Sequence, residues 1–74
     1  MSSEQHLQHK RYPLQEHYNL VAQKLKRLRR DYAIAADTLI CLQLEKQIEQ
    51  TEAELNELAQ QLDDLERALL RLIQ

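Results

Sequence analysis

Three histidines, one cysteine and a dense basic run are the side chains of this sequence whose types could do chemistry. His6 and His9 stand at i, i+3 and His17 follows about two turns later, a spacing that could turn imidazoles to one side of a helix. A structural zinc site needs four ligands in a tetrahedral array. Here the neighbours are Lys10 and Arg11, and no fourth ligand stands at a suitable spacing, so no metal is expected. Cys41 is the single cysteine, which excludes an internal disulfide and fits a reducing compartment. A nucleophilic thiol needs a base or cation to lower its pKa, and none is arranged around Cys41 in the local sequence; it reads as a small hydrophobe at a seam position. Asp63 and Asp64 fall at outer helical positions, where a solvated face is the default reading. A chain without glycine cannot build a glycine-rich phosphate loop. The expectation is a protein with no catalytic residues and no cofactor, and so not an enzyme.

The basic run "KLKRLRR", residues 24 to 30, raises a different chemistry: Lys24, Lys26, Arg27, Arg29 and Arg30 could form a contact for a polyanion. The formal net charge of the chain is nevertheless −2. Residues 1 to 37 hold seven basic against four acidic side chains, a net +3, whereas residues 38 to 74 hold three against eight, a net −5. The halves are complementary, so intramolecular pairing can answer the basic run. A dedicated nucleic-acid binder is more often basic overall and carries stacking aromatics, and two of the three tyrosines here sit at seam positions.

These side chains must be positioned by helices. With 74 residues, no Gly, one Pro and a preponderance of Leu, Gln, Glu, Ala, Lys and Arg, the composition is that of long helices in one small domain. No apolar run reaches the roughly 18 residues a membrane span requires, and "MSSEQHLQHKRYP" lacks the apolar core of a signal peptide. A cytoplasmic protein without membrane contact is expected.

Leu14, Tyr18, Val21, Leu25, Leu28, Tyr32 and Ala35 follow one another at alternating steps of four and three, the spacing of a heptad seam. Cys41, Leu44, Ile48, Thr51, Leu55, Leu58, Leu62, Leu65, Leu69 and Leu72 repeat that pattern. The two registers disagree by one residue, or about 100° of helical rotation, so one straight helix cannot present both stripes to the same side. A turn at 34–37 absorbs the difference, with Asp37 as N-cap of the second helix. Pro13 suits a first helical turn better than an interior. The expected organisation is a flexible polar segment at 1–12, a helix at 13–33, the turn at 34–37 and a helix at 38–73. The fold class is all-α: an antiparallel, coiled-coil-like hairpin of unequal helices, dimerising into a four-helix arrangement. A single continuous rod is the alternative.

Antiparallel pairing sets Leu28 opposite Leu44, Leu25 opposite Ile48, Val21 opposite Thr51, Tyr18 opposite Leu55 and Leu14 opposite Leu58, with Arg29 near Glu45 and His17 near Glu54 on the flanks. If the first helix starts at Pro13, Leu62, Leu65, Leu69, Leu70, Leu72 and Ile73 run past it and form a self-association surface, unless residues 1 to 12 fold over them. Leu20, Leu39, Ile40 and Leu42 add apolar surface outside the seam. The flanks of the second helix, including Ala59, Gln61 and Ala68, carry no base, which disfavours a parallel zipper but permits close approach. The heptads continue into the final "LLRLIQ", as in a longer natural protein.

The segments "YNLVAQKLKRLRRDYAIAAD" and "LEKQIEQTEAELNEL" resemble the short helical effector-associated modules of cyanobacteria and other bacteria. The resemblance spans residues 18 to about 65. It is carried by Lys24, Leu25, Leu28 and Arg29, by Ala33, Ile34 and Asp37, and by Leu44 to Glu49 with Glu52, Glu54 and Leu55. Such modules sit beside signalling NTPases, caspase-like proteases and other effectors of biological-conflict systems. The resemblance implies an adaptor that gathers like-folded partners and has no catalytic residues. The expected function is therefore protein–protein interaction, with a homo-oligomer, preferably a dimer, or a like-folded domain of an effector or NTPase as partner. Nucleic-acid binding through residues 24–30 and a plain structural rod are the alternatives.

Overall fold

The computed structural model describes residues 3–73 and contains two α-helices, α1 (Ser3–Ile34) and α2 (Thr38–Ile73), which pack against each other as a helical hairpin. The hairpin measures 55 × 14 × 13 Å, so the chain turns back and does not run on as one rod.

Residues 35–37 form the turn, without a positive φ angle among the described residues. No glycine is needed there for that reason. The Ala35 amide donates to the Tyr32 carbonyl at 3.3 Å, tightening the end of α1. Asp37 then restarts the helix: its Oδ1 accepts from the amides of Leu39 at 2.8 Å and Ile40 at 3.2 Å, while its carbonyl accepts from Cys41 N at 2.9 Å. This is an N-cap, satisfying two of the amides that a helix start leaves without an intrahelical acceptor.

The packed interface is a single stripe on each helix. Val21, Leu25 and Leu28 of α1 and Thr51, Leu58 and Leu69 of α2 are buried, and Leu14, Tyr18, Leu44, Ile48 and Leu55 are half-buried. Thr51 is the most enclosed, at 2% exposure, and its Oγ1 donates to the Gln47 carbonyl at 2.7 Å, so a hydroxyl sits in the seam without an unmet hydrogen bond.

The start of α1 differs from expectation. Residues 1–12 do not stand apart: the helix runs from Ser3 straight through Pro13, and only the first two residues of that segment lie outside the described ones. The helices are accordingly close in length, 32 and 36 residues, rather than markedly unequal. An interior proline removes one backbone bond and crowds the preceding turn, at a cost of about 3 kcal/mol. Pro13 is exposed, where water can serve the freed carbonyl, and continuing the helix covers the far end of α2. Leu7 becomes half-buried, Leu62 and Leu65 are half-buried, and Leu69 falls to 8% exposure. Fully burying one large apolar side chain contributes about 1.5–3 kcal/mol, so these contacts together offset the proline.

Two substitutions test this construction. Asp37→Ala should lower the unfolding free energy by about 1 kcal/mol in urea denaturation followed by circular dichroism. Pro13→Ala should raise the thermal midpoint, because the interior proline is tolerated rather than required; a fall would show that it directs the path of α1.

Candidate interaction surfaces

The seam leaves two long edges, each marked by contacts between the helices. On one edge, Glu45, Glu52 and Glu66 recur on α2 at multiples of seven residues. Glu45 Oε1 accepts from the Tyr32 hydroxyl at 2.6 Å, Glu52 Oε1 lies 3.7 Å from Arg29 Nη2, and Glu66 Oε1 lies 2.9 Å from Arg11 Nη2. On the other edge, His17 Nε2 lies 3.3 Å from Glu54 Oε1. Arg29 therefore meets Glu52 and not Glu45, since Tyr32, nearer the turn, takes the Glu45 carboxylate. All these groups are solvent-exposed, and such pairs contribute about 0–1 kcal/mol each.

The hydrogen bond to Glu45, and next the negative charge of that carboxylate, raise the Tyr32 pKa above the ordinary 10.0 of tyrosine. Tyr12 is raised for the same reasons by Glu16, whose carboxylate accepts from its hydroxyl at 3.0 Å.

The basic face stands largely open. Arg29 has its partner, but Lys24, Lys26, Arg27 and Arg30 are exposed and pair with no carboxylate among the described residues. The acid on α2 answers the run only in part. Asp63 is engaged along its own helix with Arg67 at 3.0 Å.

Exposed apolar side chains gather at both ends. At the turn are Ile34, Leu39, Ile40 and Leu42; at the open end are Leu70, Leu72 and Ile73. Tyr12 and Leu20 are exposed on α1 between them. A groove of about 260 Å³ opens at the open end between Glu4, Gln8 and Arg11 of α1 and Glu66, Leu69, Leu70 and Ile73 of α2. The expected self-association set is thus divided. Leu69 is buried within the hairpin and Leu62 and Leu65 half-buried, because α1 reaches farther than Pro13, while Leu70, Leu72 and Ile73 remain outward.

The chemistry-bearing residues are dispersed. His6 and His9 are exposed, Cys41 is half-buried with its thiol 3.6 Å from the Ala35 carbonyl, and no three His, Cys, Asp or Glu among the described residues gather as a metal cage. No helix among them is long and apolar enough to cross a membrane. A helix starting at Pro13 excludes the Arg11–Glu66 contact, which exists because α1 starts at Ser3. Its signal was present, since Leu7 and Arg11 continue the four-three spacing upstream of Leu14.

A tyrosine whose folded pKa is raised contributes stability that is present below about pH 10 and is lost as pH rises through the higher folded value. In an absorbance titration, Tyr32→Phe and Tyr12→Phe should each remove one late-ionising phenol. Titration of Tyr12 and Tyr32 at the ordinary value of tyrosine would mean that neither hydrogen bond persists in solution. No protein family, curated protein or solved structure matches this chain.

Proposed function

We propose that the hairpin is a non-catalytic protein–protein interaction module that self-associates through its outward apolar side chains and couples an effector to a signalling or defence regulator. The observation that carries this reading is the surface left uncovered. A folded monomer of 8.8 kDa typically exposes about 4,800 Å², whereas this hairpin exposes 5978 Å². The excess, about 1,200 Å² on one chain, exceeds the roughly 800 Å² that each partner gives to a specific interface of standard size. The exposed surface includes apolar side chains most of which cluster at the two ends, the pattern expected of a surface that meets a partner. The effector and regulator are supplied by the resemblance to effector-associated modules, which act through contacts between like-folded helical units. A cytoplasmic setting accords with that role.

A second reading, nucleic-acid binding, is favoured by one observation: four cations of the run at 24–30 have no carboxylate partner among the described residues. It requires affinity for duplex DNA or RNA that falls steeply with salt, because each phosphate contact releases counterions. The adaptor reading expects no such binding.

Light scattering should give at least twice the 8.8 kDa of the chain. Leu70→Glu combined with Ile73→Glu should return the mass to that of one chain with helicity retained. A wild-type chain that stays at a single-chain mass at its highest soluble concentration would refute self-association, and an unchanged mass in the double variant would remove the open end from the interface.

A further inference from the structure

Folding back redistributes the charge of the chain. In sequence, charge separates by helix; in the hairpin, it separates along the rod. The turn half, residues 21–51, holds six basic and four acidic side chains, a net +2, and the open half, residues 1–20 with 52–74, holds four and eight, a net −4. Apolar surface follows the same axis. Leu42, near the turn, and Leu70, near the open end, are 57% and 59% exposed, and they lie 28 residues apart on α2, four heptads along one face. Ile73, 70% exposed, stands beside Leu70 and continues the row of Glu45, Glu52 and Glu66 that marks the first edge. Leu42 and Leu70 are about 42 Å apart along the helix, and Asn56 is midway between them.

We propose that two copies of this chain associate on that edge as an antiparallel twofold dimer, with the axis at the level of Asn56. This rests on the self-association reading and specifies its geometry. A twofold axis there sets Leu42 of each copy against Leu70 and Ile73 of the other, so that both apolar ends are covered twice in one closed, isologous interface. The positive turn half of each copy lies along the negative open half of the other. A parallel dimer would also bring apolar end to apolar end, Leu42 to Leu42 and Leu70 to Leu70, but it would lay +2 on +2 and −4 on −4, so charge decides the orientation. Near the axis the edge carries Ala22, Asn56 and Ala59, small enough for close approach. Glu49 of one copy then comes to the level of Asp63 of the other. Lys26, on the same edge and without a carboxylate partner among the described residues, is the cation placed to join Arg67, 3.0 Å from Asp63 on its own helix, in answering that pair.

The orientation can be read directly. In a Cys41→Ser, Gln43→Cys chain carrying a nitroxide at the new thiol, pulsed electron spin resonance reports the distance between the two labels of a dimer. Gln43 is 13 residues from the axis level, so the antiparallel dimer places the labels about 39 Å apart along the rod. A dimer with labels closer than about 20 Å would be parallel and would overturn this inference while leaving self-association intact. A chain with no dipolar coupling and a single-chain mass would overturn both. As an independent readout, Lys26→Glu should weaken dimerisation at least tenfold, and Lys26→Glu combined with Asp63→Lys should recover most of the loss. Equal weakening by both variants, without recovery, would refute the assigned charge contact.

Discussion

The Asp37 carboxylate holds the structure to its shape. The two hydrophobic stripes of this chain are out of phase by one residue, so a continuous helix would point them in different directions and neither could be buried against the other. By accepting from the Leu39 and Ile40 amides, Asp37 restarts α2 in a new phase after three non-helical residues. The stripes then face each other across an antiparallel pair. The turn is made within ordinary backbone space, and the Cys41 thiol helps by donating to the Ala35 carbonyl across the connection. A lone cysteine that could have been a reactive group is thereby drawn into the turn.

Two helices can bury only one stripe each. That limit explains why the buried set is confined to a few side chains and why so much apolar surface remains outside it. The hairpin responds by lengthening its seam. Extending α1 through Pro13 to Ser3 adds Leu7 and brings Leu69 out of water, at the expense of one backbone hydrogen bond on an exposed face. The ion pairs along the edges contribute little to stability because they stand in water. Their spacing helps select the antiparallel arrangement and its register. Side chains that no second helix can cover are left at the ends, Leu42 and Ile40 at the turn, Leu70 and Ile73 at the opening.

The sequence by itself determined the fold class, the position of the turn and the identity of the stripe. Heptad spacing is a local geometric property, and a phase error together with a capping residue is visible without coordinates. What it could not determine was how far α1 extends. Local propensity disfavours an interior proline, and only the leucines waiting on α2, some 55 residues away, outweigh it. Nor could it assign Arg29 to Glu52 rather than Glu45, because edge contacts depend on the stagger between helices and on competition from Tyr32. Tertiary structure alone decided which distal leucines are enclosed and which face outward, and it converted a charge difference between halves of the sequence into one between ends of a rod. The physical reason is the same in each case: burial and charge pairing between distant segments depend on the arrangement of both helices, whereas periodicity and capping are written into neighbouring residues of one.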